Sequence, residues 1–420
     1  MADEVGVTMS RRLDELMPDL EAFYRDLHEH PELSFQEVRT AAEVARRLDA
    51  FGYQVTTGVG RTGVVGVLRN GDGPTVVLRA DMDALPVREE TGLDYASRAT
   101  GVDRYGQQVP VMHACGHDVH VTCLTGAAAV LAEHRDRWRG TLVALFQPAE
   151  EVGGGAQSML DDGLLDLFDR PDVVLGQHVT ALPAGTLNYR AGAAMAAADS
   201  LRITLHGKGS HGSRPEAGVD PVVMAAALVM RLQTIVSRHV AAGDAAVVTV
   251  GSLQAGLKEN IIPATAELKL SVRSFDPAVR ARVLTAIERM AKAEALAFGA
   301  PREPEIEVME SFPATVNDEA ATARLVETFG SFFGTAQVRE IPPIMGSEDF
   351  GVIGTAAKAP SVFWFLGGWD PQAFAAAEAG GTTDQDIPAN HSPHFAPLIQ
   401  PTLTVGVQAL VVAALAWLKR

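Results

Sequence analysis

The sequence predicts an α/β protein whose mainly parallel central sheet is interrupted by an inserted α+β domain. Three observations carry this expectation. A chain of 420 residues exceeds one ordinary domain and suits two or three, each with its own core. Through the first 190 residues, short apolar runs bounded by Gly, Asp or Pro alternate with helical patterns. From about residue 191 to 310 the texture changes to strands that alternate apolar and polar residues. The expected division is therefore 1–190 for the first part of one domain, 191–310 for the insert and 311–420 for the return.

Taken in order, Leu13, Leu16, Met17 and Leu20, then Val38, Ala41, Val44 and Leu48, recur at helical spacing. They predict two amphipathic helices, at 11–27 and 37–51, flanking a sheet. Apolar runs at 63–68, 75–78, 141–146 and 172–176 have the length and the flanking residues of buried strands. The segment 117–134 is helical in pattern, and parallel strands need such covering crossovers. In sheets of this kind ligands bind beyond the carboxyl ends of strands, so chemistry is sought just after each run. In the insert, 200–206 alternates, and 266–275 sets Leu268, Leu270 and Val272 against Glu267, Lys269, Ser271 and Arg273. Helical patterns at 221–239 and 277–298 complete a strand, helix, strand, strand, helix order, that of a small open sandwich. The apolar stretch 403–418 contains Gln408 and falls short of the roughly 20 residues of a membrane span, so it reads as a buried terminal helix.

Composition narrows the partners. Apolar residues at 47% and charged residues at 21% are the balance of a soluble globular protein. A net charge of −17 repels a phosphate backbone, and no basic stripe offsets it, so nucleic acid is not expected as a partner. Cys115 and Cys123 cannot staple a chain this long, and acids occupy the start where a secretion signal needs basic and then apolar residues. The expected location is the cytoplasm, with no membrane partner.

Ligand chemistry concentrates in 113–120, HACGHDVH, which gathers three of the twelve histidines and one of the two cysteines. Thiolate and imidazole are ligands that borderline divalent metals prefer, and Cys115 and His117 flank a glycine that permits a tight bend. The run at 75–78 leads into Asp81 and Asp83, two residues apart on one side of an extended segment. The run at 141–146 leads into Glu150 and Glu151, which in an extended chain point in opposite directions. One can then bind metal while its neighbour removes a proton from water, the division of labour that metal-assisted hydrolysis requires. Glu151 is assigned as ligand and Glu150 as base. The run at 172–176 leads into His178, and a turn near the C-terminus carries His394.

Eight motifs in order carry a resemblance: HEHPEL (28–33), RADMDALP (79–86), MHACGHD (112–118), QPAEE (147–151), GQH (176–178), GSH (209–211), GSEDF (346–350) and HSPH (391–394). Over most of its length the chain resembles the M20 metallopeptidases, and within them the amidohydrolase branch of hippurate hydrolases, aminoacylase-like enzymes and auxin-conjugate hydrolases. The resemblance implies a zinc-peptidase-like catalytic domain with an inserted ferredoxin-like lid and dimerisation domain, hence a homodimer or higher homo-oligomer. It implies that Cys115, His117, Glu151, His178 and His394 bind one or two divalent ions, with Glu150 as general base and acid. Asp81 stands where the wider family carries a ligand histidine, and Asp83 orients a neighbouring imidazole. By the same resemblance His211 serves the developing oxyanion, and Asn260 and Arg273 the substrate carboxylate. Pro215 is followed by Glu216 where many relatives continue with Pro-His, which bears on substrate preference.

The expected function is hydrolysis of N-acyl amino acids to a carboxylic acid and an amino acid. A donor set mixing S, N and O fits Zn, Mn, Co or Ni without choosing among them. The rivals are a deacetylase dedicated to one biosynthetic intermediate, and an inactive metal-binding scaffold of the same fold.

Overall fold

A computed structural model describes residues 2–418, with side chains from residue 11 onward. Two units are distinguished: residues 1–194, 316–342 and 349–420 form the first, and 195–315 with 343–348 the second. The insert thus begins at 195 rather than 191 and ends at 315 rather than 310, and a short returning segment belongs with it. That segment is held by tertiary pairing, which local periodicity does not report: the Ala196 N–H donates to the carbonyls of Ile344 and Gly346, both at 3.0 Å.

In the first unit eight strands pair in the order Gln54–Val59, Gly63–Asn70, Gly140–Gln147, Thr75–Asp81, Val173–Pro183, Ser361–Trp369, Leu187–Tyr189 and Val338–Glu340. The four from Gly140–Gln147 to Ser361–Trp369 run parallel, and Gly63–Asn70 closes one side antiparallel. Strands Thr75–Asp81 and Gly140–Gln147 are buried at every position, which is why they read as unbroken apolar runs rather than alternating ones. Helix His117–Glu133 packs on Thr75–Asp81 and against helices Ala2–Glu29, Val38–Ala50 and Ile399–Leu418. Helix Ile399–Leu418 is long and apolar enough to cross a membrane, yet Leu403, Val407, Leu410 and Val411 are buried in the same core as Leu20, Leu124 and Leu131. Burial there explains its composition.

One strand departs from expectation. The run at 172–176 is the start of Val173–Pro183, so His178 lies inside a strand and not beyond its end. The extension follows from pairing with Ser361–Trp369, in which Phe365 lies opposite His178.

In the second unit four antiparallel strands pair in the order Ala246–Ala255, Thr265–Ser274, Ala197–His206 and Glu305–Phe312. Ala266, Leu268, Leu270 and Val272 are buried, and helices Pro221–Leu232 and Pro277–Ala297 contribute Met224, Leu228, Val283 and Ile287 to that core. Each helix starts on an Asp cap followed by Pro: Asp220 accepts from the Val222 N–H at 2.8 Å, and Asp276 from the Ala278 N–H at 2.7 Å.

Candidate metal centre

The loop before helix His117–Glu133 turns through Gly116, whose φ of +82° is left-handed. A Cβ there would come within 2.4 Å of Val179 Cγ1, so conformation and space both demand glycine. The turn puts Cys115 and His117, both buried, at the head of the helix. Below them Asp118 pairs with His28 Nδ1 at 2.6 Å, and Glu89 lies 3.1 Å from His28 Nε2. Burial opposes a charge on His28, but the two carboxylates outweigh it and raise its pKa to about 9.

Glu150 and Glu151 are not in extended chain. Ala149 adopts left-handed φ 51° and ψ 42°, and Glu150–Val152 form a tight turn. The expected alternation of the two acids therefore does not occur: the turn brings both carboxylates to His117, donor atoms of the three lying within 4.8 Å of one another. Asp83 accepts the Glu150 N–H on Oδ1 and the Glu151 N–H on Oδ2, each at 3.1 Å, and the Ser34 hydroxyl at 2.6 Å. Its Oδ1 also lies 3.3 Å from His117 Nδ1. Asp83 therefore positions the acidic turn as well as the imidazole.

His178 Nδ1 donates to its neighbour's carbonyl, Val179 O, at 2.7 Å, which leaves Nε2 as the lone-pair nitrogen, 3.4 Å from Cys115 Sγ. Burial, and next the nearby His120, press the His178 pKa well below the usual histidine value, so the ring is a neutral donor. His120 has a different task. Its Nε2 accepts the Val179 N–H at 2.8 Å and its Nδ1 hydrogen-bonds Asp81. Asp81 also accepts from Arg79 Nη1 at 2.6 Å. Asp81, His117 and His120 are close enough to suggest an ion, but His120 has no lone pair left for one.

In the C-terminal turn His391, and not the expected His394, lies beside the acidic turn. His394 is exposed, with Nδ1 2.9 Å from Glu90 O and Nε2 3.6 Å from Glu90 Oε2. His391 instead brings Nε2 to 3.4 Å from Glu151 Oε1. The cause is backbone anchoring. The His391 N–H donates to Ala114 O at 2.8 Å, and Asn390 Nδ2 donates to Cys115 O at 3.1 Å and Val179 O at 3.0 Å. His391, at a left-handed φ of 72°, is thereby held against the cysteine loop.

Donor atoms of Cys115, His117 and His178 lie within 4.8 Å of one another, as do those of Cys115, Glu151 and His391, and of His117, Glu150 and Glu151. The three sets share members and form one cluster. With His117 Nδ1 facing Asp83, His117 Nε2 and Oε1 of Glu151 are buried without a hydrogen-bond partner, a cost of about 1–3 kcal/mol for each such group. Burial, followed by the charges of Glu151 and Glu150, pushes the Cys115 thiol well above its usual range. A cation among these atoms would satisfy the orphaned donors, offset the crowded carboxylates and favour the thiolate. The residues present therefore fit a divalent ion.

The other expected residues belong to the second unit. His211 is exposed, and Nδ1 accepts the Ser213 N–H at 3.1 Å with Ser213 Oγ at 2.7 Å, which leaves the ring proton on Nε2. Asn260 adjoins the short ladder in which His211 pairs with Ile261, its carbonyl accepting the Gly212 N–H at 2.7 Å. Arg273 Nη1 donates to Met345 O at 2.6 Å and Ser347 Oγ at 3.1 Å.

A model of peptidase family M20/M25/M40 matches residues 77–390. Hippurate hydrolase of Campylobacter jejuni is 40% identical over 83% of this chain and 88% of its own. N-acetyl-L-cysteine deacetylase of Bacillus subtilis is 36% identical over 84% of this chain and 82% of its own. The crystal structure of the Bacillus subtilis YXEP protein, a dinuclear metal binding peptidase from the M20 family, superposes with a TM-score of 0.75 at 30% identity, covering 96% of this chain and 99% of that one.

Proposed function

Because this chain belongs to peptidase family M20/M25/M40, and is a hydrolytic enzyme of that family's amidohydrolase branch, we propose that it hydrolyses the amide bond of N-acyl amino acids. Cys115, His117, Glu151, His178 and His391 would hold one or two divalent ions, with His391 rather than His394 as the C-terminal imidazole. A bound divalent ion supplies Lewis acidity, lowering the pKa of a water from about 15.7 toward about 7 and polarising a carbonyl.

The observation that carries this reading is the turn Glu150–Val152, which sets a buried second carboxylate, Glu150, beside the ligand-type Glu151. A purely structural ion site has no use for it. Glu150 takes the proton of the attacking water and returns it to the departing nitrogen, so that the C–N bond breaks with one water consumed. His211, with its proton on Nε2, would donate to the developing oxyanion, and Asn260 and Arg273 would bind the substrate carboxylate; these three roles rest on the family resemblance.

The test combines metal analysis of the purified protein with rates on N-acetyl, N-benzoyl and indoleacyl amino acids. Release of acid and amino acid in equal amounts from several substrates is expected. Activity confined to one acetylated compound would instead make it a dedicated deacetylase, a reading favoured by the deacetylase relative. Protein loaded with Zn, Mn, Co or Ni that cleaves nothing above the Glu150→Gln level would make it an inactive scaffold.

A homodimer through the second unit is also proposed. Val222, Val223, Met230 and Val236 are exposed there, as are Val247 and Leu253 on the edge strand Ala246–Ala255. Sedimentation equilibrium giving a monomer at all concentrations would remove that proposal. Both cysteines are unpaired and buried, which agrees with a reducing, cytoplasmic location.

A further inference from the structure

We infer that Glu37 is a positioning residue for the hydrolytic turn, acting through the backbone of Ala149. The inference rests on the reading of Glu150 as base and Glu151 as ligand.

Ala149 occupies left-handed backbone at φ 51°, ψ 42°, a conformation that is strained for a residue bearing a side chain. It is the pivot between strand Gly140–Gln147 and the turn that carries both acids. Its N–H donates to Glu37 Oε1 at 2.9 Å. The next two N–H groups, those of Glu150 and Glu151, go to Asp83. Three consecutive N–H groups are thus taken by two carboxylates from elsewhere in the chain, and Glu37 holds the strained one.

Glu37 is itself fixed. It is fully buried, its Oε1 also accepts the Phe35 N–H at 2.9 Å, and its Oε2 accepts the Thr62 hydroxyl at 2.5 Å. It stands at the N-cap of helix Val38–Ala50, yet its side chain does not cap that helix. Glu is not among the residues that usually cap a helix, and its side chain is directed to Ala149 instead. Burial and the neighbouring Asp83 raise its pKa to about 7, so the neutral acid is accessible and the position of an acceptor oxygen matters more than its charge.

The test uses Glu37→Leu, Glu37→Gln and Ala149→Gly in the full-length, metal-loaded enzyme. Kinetics on its fastest acyl amino acid and ion affinity by chelator competition are both measured. Glu37→Leu should lower kcat about a hundredfold with KM within about twofold, and should weaken the ion through Glu151, because a misplaced base acts on the transition state more than on substrate binding. Glu37→Gln, which keeps the accepting oxygen, should lose only about threefold in kcat. Adding Ala149→Gly to Glu37→Leu removes the strain that Glu37 restrains and should recover about tenfold of the lost kcat.

Equal losses for Leu and Gln, or no recovery on adding glycine, would overturn the inference. Should Glu37→Leu not fold, Thr62→Val replaces it, with an expected loss of about threefold that Ala149→Gly recovers; no loss there would overturn it too. If the wild type cleaves no acyl amino acid, the proposed function falls by itself. Ion affinity then still decides the role of Glu37, and unchanged affinity in Glu37→Leu counts against it.

Discussion

Glu150→Gln is expected to keep the fold and the bound ion while lowering kcat by about 10²–10⁴-fold, the range that positioned proton transfer contributes. The amide matches the carboxylate in shape, so packing in the turn is retained, and the Glu150 N–H still reaches Asp83. What disappears is the ability to take a proton from water and pass it to the leaving nitrogen. KM should change little, because the lost interaction belongs to the transition state. Glu151→Gln makes the informative contrast. It removes a charge from the donor cluster itself, so ion content falls together with rate. Wild-type kcat in Glu150→Gln at full ion occupancy would remove the proposed base from the mechanism.

The second large effect separates two histidines three residues apart. His391→Ala is expected to weaken ion binding by about a hundredfold or more, since the loss of a donor costs at least as much as the loss of the outer groups that orient donors. His394→Ala is expected to stay within about threefold of wild type in affinity, because its imidazole is paired with Glu90 at the surface. Isothermal titration of the ion-free protein with zinc or manganese reads both variants. Loss in His394→Ala with retention in His391→Ala would restore the assignment drawn from the motif alone.

Much of the donor set was legible because its residues sit at the ends of apolar runs or in a dense Cys/His segment. Cys115 and His117 stand out by crowding, and Asp83 and Glu150–Glu151 follow runs too apolar to be anything but buried strand. Three features were not legible, each for a tertiary reason. His178 falls within a strand because pairing with Ser361–Trp369 extends it beyond its apolar run. His391 lies nearer the cluster than His394 because Asn390 and the His391 N–H fasten the turn to the Cys115 loop, and no local periodicity encodes hydrogen bonds to a segment so distant. Glu37 stands 112 positions from Ala149, and a lone Glu ahead of a helix looks like any other helix start. The strand Ser361–Trp369 also went unanticipated, although SVFWFLGGW is a β-branched and aromatic run of the kind buried strands favour. The returning segment 343–348 carried no comparable one.

The most direct measurement of the central claim is an anomalous difference map from crystals grown with zinc or manganese. A peak is expected among Cys115 Sγ, His117, Glu151, His178 and His391, at about 2.0–2.3 Å from the donors, with Glu150 close by but not bound. An ion seated elsewhere, or full hydrolytic activity in crystals that show no ion at these side chains, would contradict it.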